Sequence, residues 1–422
     1  MLSALLALVP ALNGFSSAPP PAPGIWSVSP QRAISLRTTL DGPDALWRAI
    51  EAAQPGDVLQ VEGGDYAWGE LGKGPRKPRG TPSDPIVVRG VGKVRVKPQN
   101  FGGGATLTVH GGSWVTFENV TFEASGTGIF FMPDWQRGQR GWHFIDCEID
   151  GLWDWRAGRS RHPAGVSSKW GISSWSLQDF LWQGGSIHDV YWEHAMYHRN
   201  PRGDIVVRGA EIARVGRTAV QVRCPDGEGS MQNLPPGRGR LVIEDCRIAD
   251  TGLADGGSSI TLAGRNQMRT TIADNRIEFG SDPRLVDAWR ERRGGARFGG
   301  GTVAVWSERD GWSNGPVELS GNQIRYGPGC GDRAAIQVGS TPTLRLLENR
   351  VVLADAAVPG PHQDAVVVSP RDAAQPARSA PGYSDVGRHV LRGNQVVGRV
   401  LVEGAVVGGS LAEPEPEPEK RR

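Results

Sequence analysis

A short pattern of apolar and polar positions recurs nine times along the chain. In each copy two apolar residues stand five positions apart, and the residues between them are mostly polar or small. The apolar pairs are Phe117/Phe122, Phe144/Ile149, Trp182/Ile187, Val207/Ile212, Ile243/Ile248, Ile272/Ile277, Leu319/Ile324, Leu346/Val351 and Leu391/Val396. A short unit that repeats many times is typical of a solenoid, in which each repeat forms one coil and stacks on its neighbours.

One position inside this pattern favours side chains that form hydrogen bonds between coils. Two residues before the second apolar residue stand Asn275, Asn322, Asn349 and Asn394 in the last four copies, and Cys147 and Cys246 in two earlier copies. Because each coil repeats one turn at one place, stacked amides can bond to one another as an asparagine ladder. The two cysteines are expected to be buried in this column, about 14 Å apart and beyond disulfide reach.

A second strand pattern follows most copies after a gap of variable length. It alternates with period two, which directs one set of side chains inward and the other outward. The inward set is Ile172, Met196, Val220, Ile260, Val303, Ile336 and Val366, and the outward set is Ser173, Tyr197, Gln221, Thr261, Ala304, Gln337 and Val367. The unequal spacing of the copies indicates inserted loops, and we expect function in those loops and on the outward columns.

The two ends of the chain differ from the repeated region. Residues 1–15 are apolar and too short to span a bilayer, which predicts a signal peptide, although no Lys or Arg precedes this stretch. Residues 16–38 are predicted as a Pro-rich linker, residues 39–410 as the β-helix domain with its cap, and residues 411–422 as a disordered tail. We therefore expect a single-domain monomer, secreted or periplasmic, without a membrane span.

Composition and charge narrow the classes of protein further. Glycine accounts for 59 of 422 residues, which indicates many turns and few long helices. The net charge of +2 comes from charged residues spread along the whole chain, so we expect no nucleic-acid partner. Cys224 and Cys330 lie in predicted turns or loops, and they can form a disulfide only if those loops fold toward each other.

Residues 44–61 predict a short helix and a following strand that cover the open end of the solenoid. Leu46, Ile50 and Ala53 share one helix face, and the helix stops at Pro55-Gly56-Asp57. The motifs Gly64-Asp65-Tyr66 and Pro85-Ile86-Val87-Val88-Arg89-Gly90 come next. Over about residues 40–125 this order resembles the start of secreted right-handed parallel β-helix proteins, especially the chondroitinase B/alginate lyase family of polysaccharide lyases. We therefore predict an all-β fold, a right-handed parallel β-helix (solenoid) with a short N-terminal helical cap.

The resemblance implies a chemistry that this chain matches only in part. In that family a Lys and an Arg act as acid and base in β-elimination at a uronate, and calcium held by Asn and Glu acidifies the proton beside the carboxylate. This chain has no Lys between Lys169 and Lys420 and no paired Glu-x-Glu before that region. The resemblance thus supports the fold and export more than that reaction. Calcium stays open as a cofactor, because Asp226 and Glu228 are too few to define a site.

The middle coils carry the candidate site instead. Alternation places Tyr197 and Arg199 outward, with Gln221 and Arg223 beside them on the next coil, about 5 Å away. Two guanidinia, a phenol and an amide on one open face can grip a carboxylated sugar, because Arg binds carboxylates bidentately. The predicted catalytic residues are His194, Tyr197, Arg199 and Arg223, and the predicted substrate-binding residues here are Glu193, Arg217 and Gln221. His194 or Tyr197 would be the general acid or base. The plainer alternative is a set of ordinary outward polar residues.

Other residues extend this candidate site. Eight of the fifteen tryptophans lie from Trp135 to Trp192, and aromatic rings are common platforms for sugars. The predicted exposed platforms are Trp153, Trp155 and Trp175. His362 and Asp364, at the start of a later strand and roughly 25 Å from Tyr197, are further candidates for binding substrate or a metal. A polar turn is the plainer interpretation of this pair.

These features predict a secreted β-helix protein that acts on or binds an acidic polysaccharide, with β-elimination at a uronate as the candidate reaction. The alternative is a non-catalytic carbohydrate-binding or cell-surface solenoid, and the missing Lys is its best support. A hydrolase of the polygalacturonase type requires aspartates clustered on adjacent outward columns, which the sequence does not provide.

Overall fold

The computed structural model of the chain describes residues 33–36, 44–98, 104–133, 139–224, 237–254, 257–264, 266–280, 282, 284–285, 302–305, 314–326, 334–339, 341, 343–353, 364–369, 390–397, 399–402 and 405–408. The predicted signal peptide and the predicted tail lie outside these residues. Part of the predicted linker is strand instead, because the backbone of Ala33–Leu36 pairs with Val58 to Val61 at the edge of the first coil.

Successive coils stack three columns of parallel strands, and the first two columns form one 20-stranded sheet. The strands of this sheet are Ala33–Leu36, Val58–Ala67, Ile86–Lys97, Ser113–Glu123, Arg140–Ile145, Glu148–Asp150, Phe180–Gln183, Ser186–Val190, Ile205–Arg208, Glu211–Val215, Arg240–Glu244, Arg247–Thr251, Arg269–Ala273, Arg276–Glu278, Val317–Ser320, Gln323–Tyr326, Leu344–Leu347, Arg350–Leu353, Val390–Arg392 and Gln395–Val396. The three longest of them run from the first column into the second. In later coils a two-residue turn separates the columns.

The third column forms a 12-stranded sheet. Its strands are Gly69–Leu71, Ala105–Val109, Thr127–Phe131, Trp170–Trp175, Met196–Arg199, Val220–Cys224, Ile260–Gly264, Val303–Val305, Ile336–Gly339, Asp364–Ser369, Arg399–Val402 and Ala405–Gly408. The last strand, Ala405–Gly408, reverses direction and pairs antiparallel with Arg399–Val402. A two-stranded hairpin, Trp153–Asp154 with Arg159–Ser160, lies in the loop that precedes Trp170–Trp175. Since crossovers between parallel strands are almost always right-handed, the prediction of a right-handed parallel β-helix is confirmed.

The predicted apolar repeat sets the register of the stack. Phe117 pairs with Phe144, Phe144 pairs with Trp182, and the same column continues coil by coil to Leu391. The second apolar residues align equally, from Phe122 to Val396. The stacked rings of Phe117 and Phe144 lie 5.5 Å apart. Each inward side chain therefore packs against a like side chain in the coil above and below.

The turn between the first two columns explains the residues found there. Its first residue is left-handed in coil after coil, with φ of 50° at Asp146, 64° at Gly184 and 55° at Asp274. Glycine adopts this conformation without strain, and Asp and Asn tolerate it better than other residues. The second residue then points into the stack, where its side chain meets the same turn of the next coil.

The asparagine ladder predicted at that second position is present. Asn275, Asn322 and Asn349 each donate from Nδ2 to the Oδ1 of the next asparagine along the stack, at 2.9 Å in all three steps, and the last acceptor is Asn394. The Nδ2 of Asn322 also donates to the carbonyl oxygen of Ile272 at 2.8 Å. These bonds satisfy buried amides that would otherwise destabilise the stack.

The cysteines of the turn column are buried, as predicted. Cys147 and Cys246 are almost inaccessible, and burial raises the pKa of their thiols to about 12 and about 11. Both thiols therefore stay protonated and unreactive at neutral pH. Cys224 does not lie in a turn or loop as predicted, because the inward alternation of Val220 and Val222 continues through it to the end of the strand. Cys330 lies outside the described residues.

The predicted cap covers the first coil. Helix α1, Ala45–Ala52, buries Leu46, Trp47 and Ile50 against the stack. The Nε1 of Trp47 donates to the carbonyl oxygen of Ala67 at 3.0 Å, which ties the helix to the strand it covers. No helix in the described part of the chain is long and apolar enough to cross a membrane.

Candidate functional site

Two adjacent strands of the third column place the predicted residues side by side. Met196–Arg199 pairs in parallel with Val220–Cys224, so that Tyr197 lies beside Gln221 and Arg199 beside Arg223. The alternate residues of these strands, Met196, His198, Val220 and Val222, are fully buried in the interior. The outward set therefore shares one surface. We call Trp175, Tyr197, Arg199, Gln221 and Arg223 the arginine face.

Arg199 has an unusual environment within this face. Its guanidinium lies 4.2 Å from the centre of the Trp175 ring and 4.4 Å from the centre of the Tyr197 ring. Its Nε is buried without a hydrogen-bond partner, and no carboxylate of the described residues forms an ion pair with it. Two aromatic faces thus hold the cation in place without neutralising its charge.

Tyr197 points outward as predicted, but it is only 4% exposed. Its ring packs between the Arg199 guanidinium and the ring of His194, whose centre is 4.9 Å away. Its hydroxyl forms no hydrogen bond with any residue that the structure describes. A phenol that remains unbonded beside a guanidinium can donate to or accept from a bound ligand.

His194 is fixed as a neutral ring. Its Nδ1 accepts a hydrogen bond from the backbone N–H of Thr218 at 3.3 Å, which leaves the proton on Nε2, 3.4 Å from a Glu193 carboxylate oxygen. Burial and, to a smaller extent, the positive charges of Arg217, Arg199 and Arg223 together lower the pKa of His194 to about 3. At neutral pH the ring therefore carries no charge and orients its neighbours.

Charges around the face are predominantly positive. Arg217 binds Glu193 at 2.9 Å, and the Nζ of Lys169 lies 4.4 Å from the centre of the Trp170 ring. Glu193 is the one carboxylate among these residues, against Lys169 and the arginines Arg199, Arg217 and Arg223. Within the part of the chain that the structure describes, basic side chains therefore outnumber acidic ones at this face, which favours an anionic ligand.

The tryptophans differ from the prediction of exposed platforms. Trp155 and Trp175 are buried, at 7% and 9% exposure, and Trp153 is half-buried. Trp155 packs with Leu253, Phe279 and neighbouring residues into a small second core outside the coils, and its Nε1 donates to the carbonyl oxygen of Arg214 at 2.9 Å. Trp175 lies under Arg199 instead of facing solvent. The inserted hairpin brings these partners together, and sequence alone cannot place such a loop.

The later candidates remain separate from the arginine face. Asp364 begins a strand five steps further along the third column, about 24 Å away at the usual strand spacing. His362 lies outside the described residues, as do Asp226 and Glu228. Their proposed roles therefore stay predictions.

A second charged cluster on the same coils was not predicted. Its six members, which we call the outer ion-pair network, are Glu148, Asp150, Arg161, His188, Asp189 and Arg214. Asp189 and Arg214 both have left-handed backbones, with φ of 58° and 55°, and they bond at 2.6 Å across adjacent coils. His188 follows the inward residue Ile187, a pattern that marks an outward position, but nothing in the sequence locates Arg161 near it.

This network has the spacing of a metal site but the charges of a closed ion-pair cluster. Ligand atoms of Asp150, His188 and Asp189 lie within 4.8 Å of one another. Arg161 and Arg214 already bind the two aspartates, and His188 lies 2.9 Å from Glu148. Calcium requires six to eight oxygen ligands, so these residues do not fit it.

Comparisons with known proteins add structural neighbours only. No protein-family model matches the sequence, and no curated protein matches it. The alginate lyase of Paenibacillus sp. str. FPU-7 is 17% identical, with a TM-score of 0.42, over 75% of this chain and 94% of that chain. The mannuronan C-5 epimerase AlgE4 A-module of Azotobacter vinelandii is 12% identical, with a TM-score of 0.48, over 87% and 96%. Pectate lyase Pel9A is 11% identical, with a TM-score of 0.45, over 84% and 83%.

None of these three TM-scores reaches 0.5, so the description of the fold depends on the strand pairings themselves. The fold and the site together define a parallel β-helix with a basic, aromatic face on its third column.

Proposed function

We propose that this protein is an exported β-helix that binds an acidic polysaccharide on the arginine face. The observation that carries the proposal is the Arg199 guanidinium, held between Trp175 and Tyr197 without a carboxylate partner among the described residues. A cation that is oriented in advance and not neutralised loses little conformational freedom when an anion binds. The carboxylate of a uronate fits it, since the planar guanidinium binds carboxylates through two parallel hydrogen bonds.

The pairing of two arginines favours a polymer over a single small anion. Arg199 and Arg223 occupy matched positions on adjacent strands, about 4.8 Å apart. Beyond them, the same two outward columns continue with the uncharged residues Thr261 and Ala263. The basic face is therefore short, and it suits a few charged sugars of a longer chain.

Lyase activity is the second part of the proposal. In β-elimination a base removes the proton on the carbon beside the uronate carboxylate, the glycosidic oxygen leaves with a proton, and a carbon–carbon double bond forms. Arg199 would neutralise the carboxylate and so stabilise the charge that develops there. The hydroxyl of Tyr197, whose ring packs against that guanidinium and which bonds to no described residue, is the group best located to move a proton.

The alternative is a solenoid that binds sugars without turnover. It is favoured by the neutral, hydrogen-bonded state of His194, whose low pKa removes one of the two predicted acid–base residues at neutral pH. The absence of any Lys between Lys169 and Lys420 also favours it. Both readings share the arginine face, so binding is tested before turnover.

The binding test uses alginate, pectate and chondroitin chains, with a neutral glucan as the ligand control. We expect the parent protein to bind at least one anionic chain with an affinity that falls as salt rises. Arg199→Ala should weaken binding at least tenfold. Arg240→Ala removes the same charge from an exposed ion pair with Asp204, away from the face, and should bind like the parent. Equal binding by Arg199→Ala and Arg240→Ala would exclude the arginine face as the binding site.

Turnover is followed by the ultraviolet absorbance of unsaturated uronate ends, with and without added calcium. A rise with the parent protein that Tyr197→Phe abolishes, without a change in binding, supports the lyase. Binding without a rise in absorbance and without new reducing ends supports the non-catalytic solenoid.

A further inference from the structure

Trp192 is the exposed aromatic residue closest in the chain to the arginine face. Two tryptophans of the described residues are strongly exposed, Trp192 at 49% and Trp68 at 38%. Trp68 lies near the capped end of the solenoid, where the Nε1 of Trp47 donates to its carbonyl oxygen. A single exposed indole is common on protein surfaces, so the case for Trp192 depends on its neighbours and on its place beside the arginine face.

The Trp192 ring is supported from behind by other aromatic side chains. Its centre lies 5.7 Å from that of Tyr191. The Tyr191 ring in turn lies 3.8 Å from Trp153 and 5.7 Å from Trp155, both of which belong to the inserted loop. This second core anchors Tyr191 and so limits the movement of the segment that carries Trp192.

Trp192 lies in the segment that leads into the arginine face. Its backbone N–H donates to Ser168, and that of the next residue, Glu193, donates to Lys169, so both residues stack on the preceding coil. Glu193 binds Arg217, and the strand that carries Arg199 begins three residues later. Arg199 lies seven positions after Trp192, and an extended chain over that distance spans at most about 25 Å. The two side chains thus lie within reach of one oligosaccharide.

We infer that Trp192 is an aromatic subsite for the acidic polysaccharide, one that stacks a pyranose ring several sugars away from the uronate gripped by Arg199. The inference rests on the proposed function, because the ligand is the same. The indole face offers a π surface to the C–H groups of a sugar ring, whereas the arginines take its charges. The bound chain would then extend from Trp192 toward the strand Met196–Arg199 and its Arg199 side chain.

The length of the oligouronate distinguishes a subsite at Trp192 from a general effect of its substitution on the fold. We would measure the affinity of the parent, Trp192→Ala and Trp192→Phe for oligouronates from the dimer to the octamer. Short oligomers that fill only the arginine face should bind all three proteins equally. Longer ones should bind Trp192→Ala about three- to tenfold more weakly, the loss expected for one ring contact, with Trp192→Phe between. Trp68→Ala is the matched control and should bind every length like the parent.

The outcomes distinguish the two proposals. Equal affinity of Trp192→Ala and the parent at every length would overturn the subsite and leave the arginine face intact. A loss that is the same for dimer and octamer would also overturn it, because such a loss indicates a disturbed fold. Failure of the parent protein to bind any anionic chain would overturn the proposed function, and the subsite with it.

Discussion

The outer ion-pair network and the arginine face occupy the same coils, yet only one of them has balanced charges. In the network the carboxylates of Asp150 and Asp189 meet Arg161 and Arg214 within 3.0 Å. On the arginine face the described residues that meet the Arg199 guanidinium are the aromatic rings of Trp175 and Tyr197. A set of charges that neutralise one another stabilises a fold, whereas an unneutralised cation held in place is suited to a ligand.

His188 in the outer ion-pair network and His194 beside the arginine face show the same difference in charge environment. Burial alone would lower the pKa of His188, but hydrogen bonds to Asp189 and Glu148 outweigh burial and raise it to about 9. For His194 burial and three nearby arginines act together and lower the pKa to about 3. The neighbours, and not the residue type, therefore decide that one ring is charged at neutral pH and the other is not.

The largest expected effect is on stability, from Asp189→Asn. The amide keeps the left-handed backbone that Asp189 requires, but it removes the charge that faces Arg214, Arg161 and His188. Since three cations then share too few anions, we expect the free energy of unfolding to fall by about 3 kcal/mol. Chemical denaturation measures this change.

Asp204→Asn is the control for that variant. Asp204 pairs with Arg240 on an exposed surface, so its loss should cost about 1 kcal/mol or less. Equal losses from both variants would mean that the network is no more stabilising than an ordinary surface pair. Binding of the anionic chain should be unchanged in both.

The next largest effect is the dependence of stability on pH. His188 has a folded pKa above its ordinary 6.5, so its contribution is complete below pH 6.5 and is lost as pH rises through about 9. His194 has a folded pKa below 6.5, so the unfolded chain binds its proton first, and stability is lost as pH falls from 6.5 toward 3. Each change should be on the order of 2 kcal/mol.

Two variants test which histidine causes each change of stability with pH. In thermal unfolding measured across pH, His188→Gln should flatten the alkaline decline and His194→Gln should reduce the acidic one. If both variants follow the parent at every pH, the opposite behaviour of the two histidines is refuted.

A smaller effect is expected on binding from Arg199→Lys. Lysine keeps the charge but lacks the planar fork and stacks less well on Trp175 and Tyr197. We expect a Kd for the anionic chain about fivefold higher, by calorimetry, with unfolding within about 1 kcal/mol of the parent. Arg214→Lys, the same change in the network, should lower stability and leave Kd unchanged. If Arg199→Lys lowered stability and Arg214→Lys raised the Kd, the roles given to the arginine face and the outer ion-pair network would be exchanged.

The smallest effect is expected from Arg161→Gln. Arg161 is 42% exposed and lies in the inserted loop, where it binds Asp150 and Asp189. Because solvent screens this pair, the loss of stability should stay under about 1 kcal/mol. Limited proteolysis should nevertheless cut the loop around residues 156–165 faster than in the parent. An unchanged cleavage rate would show that aromatic packing alone holds the loop.

Much of the fold could be predicted from the local pattern of apolar and polar residues. The apolar pairs, the ladder asparagines and the inward column from Ile172 to Val366 appear where the sequence predicts them. They do so because a solenoid brings each repeat against the next, so that position within the repeat is nearly equivalent to position in space.

The candidate site could be predicted from the sequence only in part. Alternation correctly placed Tyr197 beside Gln221 and Arg199 beside Arg223. It gave no indication that Trp155 and Trp175 are buried or that Trp192 is exposed, because exposure depends on what packs over a strand from outside. Here that covering comes from an inserted hairpin whose partners are up to 126 residues distant along the chain, as Arg156 and Asp282 illustrate.

By itself, then, the sequence determined the solenoid, the alignment of its repeats and the direction of most side chains in the repeated strands, since these follow from contacts between one repeat and the next. The tertiary structure decided which charges are neutralised and which rings meet solvent. Arg199 and Arg214 have the same side chain on neighbouring coils, and only the three-dimensional arrangement gives one of them a carboxylate and the other two aromatic rings. Charge and exposure depend on all neighbours within a few ångströms, and loops of variable length supply many of those neighbours.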